Sequence, residues 1–202
     1  LWTPQRNSPT LPQTDREAAL TRIEIRPERS SDHPRVDEIQ RAAFGQKEEA
    51  ELVTALRERA DPILSLVAEI PAVRSTDVSA LAAANVAGHV FFSPVTLEGP
   101  GDPPPLAGLA PLAVDAHVQT TGIGSALVRA GLRDCLSLGW QAVFLLGNPA
   151  YYSRFGFSLA APQGFRYESE AFDGGFQMIE LVPGALTGCS GWIRYHTAFS
   201  EM

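Results

Sequence analysis

The residues of this chain best placed to do chemistry begin with the run Gln119-Thr120-Thr121-Gly122-Ile123-Gly124-Ser125, which follows the apolar stretch Leu112-Ala113-Val114. A strand that enters a glycine-bearing turn and then a helix leaves about four backbone N–H groups without intrahelical partners. They point along the positive end of the helix dipole, where a diphosphate is the natural occupant, and glycines allow it close to the backbone. Two glycines can also be no more than a turn. The dinucleotide fingerprint G-x-G-x-x-G fails because its third glycine position holds Leu127. No Gly-Lys-Ser/Thr follows, so a Walker-type nucleotide loop fails as well. A second candidate is Gly147-Asn148-Pro149-Ala150-Tyr151-Tyr152-Ser153-Arg154-Phe155-Gly156-Phe157, where two phenols adjoin on a short helical stretch. Neighbours on a helix differ by about 100° around its axis, so both cannot reach one atom.

Elements must hold these groups, and their pattern is legible. Thr21 to Arg26 alternates as a short strand, Asp32 can cap a helix that carries Val36, Ile39, Gln40 and Ala43 to Phe44, and Gly45 stops it. Glu48 to Arg59 places Leu52, Val53 and Leu56 on one helical face. Leu64 to Ile70, Ala87 to Leu97 and Leu106 to Val114 read as strands, with Pro111 predicting a bulge in the last. Pro71 to Asn85 is long for a hairpin turn and has no period, and Glu98 to Pro105 is a loop of four prolines and two glycines. A helix over Gly122 to Leu138 ends at Gly139, and a buried strand spans Ala142 to Leu146. A short helix covers Pro149 to Phe155, and final strands lie near Phe157 to Ala160, Phe176 to Val182 and Gly191 to Tyr195. The expectation is an α/β protein, a mixed sheet flanked by helices. Residues 1–20 read as a flexible tail and 21–202 as one domain.

At these residues the chain resembles the GNAT superfamily of acyl-CoA N-acetyltransferases, whose signature Gln/Arg-x-x-Gly-x-Gly/Ala is matched by Gln119 through Gly124. The family's second element, an Asn after the next strand and then a tyrosine helix closing in Gly-Phe, is matched from Asn148 to Phe157. The likeness extends to the YhbS-like branch. It is carried by Ala43-Phe44-Gly45, Glu49 to Val53, Gly88 to Val95, Pro149 to Tyr152, Leu181 to Ala185 and Arg194-Tyr195-His196.

The resemblance implies a GNAT-like fold, acetyl-CoA as co-substrate, no metal, and an amine acceptor that is a small molecule or a peptide. Leu112, Ala113 and Val114 would pair with the pantetheine arm like an added strand. The bulge at Pro111 would free a backbone N–H to polarise the thioester carbonyl. Gln119 belongs to the matched motif, amides of Thr121, Gly122, Ile123, Gly124 and Ser125 would hold the pyrophosphate, and Asn148 would bond the pantetheine. Tyr152, four residues before Gly156, stands where the family often has the tyrosine that protonates the departing thiolate; Tyr151 would pack. Arg154 could reach the nucleotide 3′-phosphate. Ala116 departs from the family's usual proline, and Thr120-Thr121 from its usual polar or glycine residues. Glu69, His89, Asp115, His117 and Glu180 are all conceivable bases and none is assigned. Glu48, Glu49, Glu51, Glu168, Glu170 and Asp173 would form an acidic vestibule for a cationic amine, or simply face solvent. Homodimers are common in the family. The rival reading is a non-catalytic acyl-CoA-binding module, which needs the turn but no proton donor.

Composition narrows the partners. Sixteen basic against 23 acidic side chains give a net charge of −7. With no Lys/Arg-rich run, this argues against a nucleic-acid or anionic-membrane surface. Fifteen of the basic residues are Arg; Lys47 is the one lysine. Cys135 and Cys189 have no zinc-type spacing, and Cys135 falls on the apolar ladder Ile123, Leu127, Gly131, Cys135 as a core thiol. No apolar run approaches a membrane span, and a cytoplasmic location is the default expectation.

Overall fold

A computed structural model describes residues 23–70 and 86–201. The expected tail over 1–20 and the 71–85 segment lie outside the described residues. In chain order the elements are β1 (Glu24–Pro27), α1 (His33–Phe44), α2 (Glu48–Arg59), β2 (Leu64–Glu69), β3 (Val86–Glu98) and β4 (Leu106–Val114). There follow α3 (Ile123–Ser137), β5 (Ala142–Leu146), α4 (Pro149–Tyr152), β6 (Ser158–Leu159), β7 (Phe165–Arg166), β8 (Phe176–Glu180) and β9 (Gly191–Arg194).

The sheet runs β1-β2-β3-β4-β5-β8-β6, and the far end of β3 pairs with β9, which in turn holds β7. Most neighbours are antiparallel, with β4–β5 and β7–β9 parallel. The period of two in β2 and β3 decides which side chain faces which layer. Leu66, Val90 and Phe92 pack under α3 with Leu127, Val128 and Cys135. Val67 and Phe91, on the opposite face, meet Ile39 of α1 and Leu52, Val53 and Leu56 of α2. The far end of the sheet has its own core, with Phe144, Phe165, Phe176 and Met178.

Contact between α3 and the sheet depends on glycine. A Cβ at Gly131 would lie 2.3 Å from the Phe92 ring, so the helix backbone rests directly on that ring. Gly45 and Gly139 end α1 and α3 in the left-handed region, at φ +74° and +87°. Asp32 departs from its expected role. It sits at the start of α1, but its carboxylate is taken by the Arg26 guanidinium at 2.7 and 3.0 Å and by the Arg29 N–H at 2.8 Å, not by the helix. A strongly basic neighbour outcompetes a neutral helix amide for a carboxylate.

Candidate active site

The site begins as a defect in the sheet. β4 pairs with β5 only over Leu106–Gly108, so from Leu109 onward that edge of β4 has no strand beside it. On its other edge β4 meets β3 with Val90 opposite Leu112 and Phe92 opposite Leu109. Three steps on β4 against two on β3 make a bulge at Ala110-Pro111, where a proline cannot donate to a ladder. Unpaired backbone N–H and C=O groups on an opened strand edge form a template for an extended ligand.

Beyond β4 the chain passes through Gln119 and Thr120 into α3. Gly122 takes φ +95° at the N-cap, and no side chain caps this end. The first intrahelical bond runs from Ala126 N to Gly122 O, which leaves the preceding amides of the turn as open donors. A cavity of about 590 Å³ lies against them. It is lined by Leu112, Ala113 and Val114, by Gln119, Gly122, Ile123, Gly124 and Ser125, and also by Thr120, Tyr151 and Arg154. Thr121 is not among its lining residues: its hydroxyl donates to Val118 O at 2.5 Å, and Thr120 faces the cavity instead, at φ +63°.

A second cavity of about 310 Å³ adjoins the first, sharing Phe44 and Leu112 with it. Leu109, Ala110, Pro111 and Leu112 form one wall, so the bulge opens onto it, and Tyr152 lies across from them. Tyr151 and Tyr152 cross edge to face at 4.9 Å and line different cavities, as their angular separation on α4 requires. Glycines make room for both. A Cβ at Gly147 would come within 2.5 Å of the Tyr152 ring, and one at Gly124 within 2.7 Å of the Tyr151 hydroxyl. Tyr151 packs against the core as expected and also lines the larger cavity, and Arg154 stacks over its ring at 4.7 Å. Burial raises the Tyr152 phenol above its ordinary range, so it is held protonated. Asn148 lines neither cavity; its Oδ1 accepts from Ala150 N at 2.9 Å and caps α4.

The conceivable bases are otherwise engaged. His89 is fully buried between the sheet and α1, with Nδ1 2.8 Å from Gln40 Nε2 and Nε2 2.9 Å from Ser65 Oγ; burial lowers its pKa to about 4. Asp115 pairs with Arg35 and accepts from His117 N, Glu69 pairs with Arg26 at 2.6 Å, and Glu180 accepts from Gly184 N and Leu186 N. His117 is exposed. Of the six acids expected around an acceptor, Glu49 alone lines the smaller cavity. Sequence reading also gave Phe44 no role, although the structure sets it at the junction of the two cavities. Its sequence signals are a large apolar residue just before a helix-ending glycine and its place in the Ala43-Phe44-Gly45 stretch. Among the described residues no group of His, Cys, Asp and Glu could hold a metal, and no helix is long and apolar enough to cross a membrane.

A splayed β4–β5 pair, a bulge at the splay and an open helix N-terminus beyond it together define an acyl-CoA-type transferase fold. A family profile described as acetyltransferase (GNAT) domain matches residues 24–160, and the chain belongs to that family. It is 39% identical over 182 residues to the uncharacterized N-acetyltransferase YhbS of Escherichia coli K12, covering 90% of this chain and 99% of that protein. A crystal structure of E. coli YhbS in complex with CoA superposes with a TM-score of 0.75 at 36% identity, covering 97% and 96% of the two chains. A GNAT family acetyltransferase from Brucella melitensis in complex with acetyl-CoA gives a TM-score of 0.65 at 31% identity, over 88% and 98%.

Proposed function

We propose that the protein moves the acetyl group of acetyl-CoA to a primary amine by direct attack in a ternary complex, with no acetyl-enzyme intermediate. One observation carries the reading: the two cavities meet at Leu112 and Phe44. The open amides of α3, the free edge of β4, the bulge and Tyr152 therefore lie along one continuous cleft. Relatives solved with CoA and acetyl-CoA support the same co-substrate. In this reading the pyrophosphate takes the amides of Gly122 to Ser125, with Gln119 at the mouth of the turn. The pantetheine runs along Leu112, Ala113 and Val114. Its thioester carbonyl rests at the bulge, where a backbone N–H meets the charge that develops on oxygen. The amine nitrogen bonds to the acetyl carbon, the carbon–sulfur bond breaks, and the thiolate takes the proton of Tyr152. The nitrogen gives up its own proton to solvent, and the Tyr152 phenolate regains one from there.

The test is single-turnover kinetics with labelled acetyl-CoA and an amine panel. Label should pass to amine without ever appearing on protein. Label trapped on the protein in a form that an added amine then accepts would refute direct transfer.

A further inference from the structure

The smaller cavity carries information about the acceptor. Its roughly 310 Å³ is at the low end for a small-molecule site. Besides the bulge, its walls are largely aromatic: Phe44, Tyr152, Tyr167, Tyr195 and Phe199. These rings brace one another, with Tyr195 edge-on to Tyr167 at 5.2 Å and to Phe199 at 4.9 Å. Gly108 lets Tyr195 lie against β4, since a Cβ there would fall 2.3 Å from the ring.

Polar groups in this cage are few. Glu51 is paired with Lys47 at 2.9 Å, and Glu170 and Asp173 share Arg166 at 3.1 and 2.7 Å, and none of these acids lines the cavity. Glu49 lines the cavity, and its carboxylate meets only the Gln46 side-chain amide at 3.2 and 3.4 Å, with no cation beside it among the described residues. The Tyr195 hydroxyl is buried and has no hydrogen-bond partner there. A buried hydroxyl left unpaired is destabilising, and a ligand's N–H donor would pair it.

Resting on the acetyl-transfer reading, we propose that the acceptor is a small primary arylalkylamine. Its ring packs in the aromatic cage, and its single ammonium sits between Glu49 and the Tyr195 hydroxyl until it gives one proton to solvent and attacks as the neutral amine. One charge suits this cavity; a second does not. A polyamine would bring further ammoniums to a cavity in which Glu49 is the one lining carboxylate. An amino acid of the same shape would bring a carboxylate toward Glu49. A peptide lysine has no ring beside its amine and would leave the cage unfilled.

Two measurements test this. With acetyl-CoA saturating, kcat/KM for phenethylamine should exceed that for spermidine, for phenylalanine and for a lysine-bearing peptide by tenfold or more each. A faster spermidine or peptide reaction would overturn the proposal. Calorimetry on CoA-saturated protein should show phenethylamine binding that weakens about tenfold in Glu49→Gln and severalfold in Tyr195→Phe, with acetyl-CoA affinity unchanged. No binding, or wild-type binding in both variants, would overturn it. If phenethylamine binds as expected and no amine of any class is acetylated, the acetyl-transfer reading fails while the seat stands.

Discussion

At the scale of single residues, the assignment with the most to lose is Tyr152. A thiolate has an unperturbed pKa near 8.5, so donating a proton to it helps without being obligatory at neutral pH. A phenol helps most when charge has built up on sulfur, in the transition state. Tyr152→Phe keeps the ring and its contacts with Phe157 and Tyr151. The loss should therefore fall on kcat, by about 10²-fold, with acetyl-CoA affinity little changed. Tyr151→Phe should spare kcat and shift the acetyl-CoA KM instead, because that hydroxyl lies near Gly124. The reverse pattern would mean that the two roles are exchanged. Burial raises the Tyr152 pKa, so its acid form persists above the ordinary phenol value of about 10. Steady-state kcat should accordingly show no fall assignable to it between pH 8 and 10. A descending limb that vanishes in Tyr152→Phe would contradict the burial. The tyrosine pair, the glycines of the turn and the proline of the bulge were legible as residues because each type has few alternative uses. Glu49 was not singled out among six acids, since nothing local says which carboxylates will meet an arginine.

At the scale of elements, helices declared themselves better than short strands. α2 follows the sequence expectation to the residue, and so does β5, because a helical period or an apolar run bounded by stop signals leaves little choice. β7 went unseen: two residues, Phe165 and Arg166, carry no period, and only β9 makes them a strand. Tertiary context also decides the sign of a substitution in α3. Helix propensity alone would make Gly131→Ala stabilising by about 1 kcal/mol. The new Cβ would meet the buried Phe92 ring at 2.3 Å, and overpacking of that kind costs about 1–3 kcal/mol. Chemical denaturation should show a net loss, and a more stable variant would mean that α3 can lift off the sheet. Between the sheet and the other helices, His89 is held neutral, with a pKa of about 4 against 6.5. It faces Glu28 at 3.9 Å, with Arg57 and His33 acting from the helices. The unfolded chain binds the extra proton first, so stability is full above pH 6.5 and declines as the pH falls toward 4. The Glu28 pKa is lowered as well, so its contribution fades on acidification in the same sense. Unfolding midpoints in denaturant, followed from pH 7 to 4.5, should fall, and His89→Gln should flatten the slope.

For the whole molecule, the cleft exists because two layers and one sheet defect converge, and a linear sequence does not show the convergence. The turn, the strand before it and the tyrosine helix could each be read separately. Their assembly into adjoining cavities of about 590 and 310 Å³ needed the splay of β4 from β5. A ligand that spans both cavities binds only the folded protein and must stabilise it by mass action. At one hundred times its Kd that is about 2.7 kcal/mol, or a rise in Tm of about 5–10 °C at this chain length. Acetyl-CoA should produce such a shift in a thermal melt, while NAD and ATP, whose loop signatures are missing, should do little. Gly124→Val should abolish it, yet that variant alone is ambiguous: a side chain there would strike the Tyr151 hydroxyl as well as a phosphate. The double variant Gly124→Val with Tyr151→Phe separates the causes, because losing the hydroxyl relieves the clash at 2.7 Å but leaves the branched side chain over the turn. If the amides of α3 hold the diphosphate, the acetyl-CoA shift stays lost in the double variant, while Tyr151→Phe alone keeps most of it. If it returns, the glycine serves the tyrosine, and the pyrophosphate must be held elsewhere along the cleft.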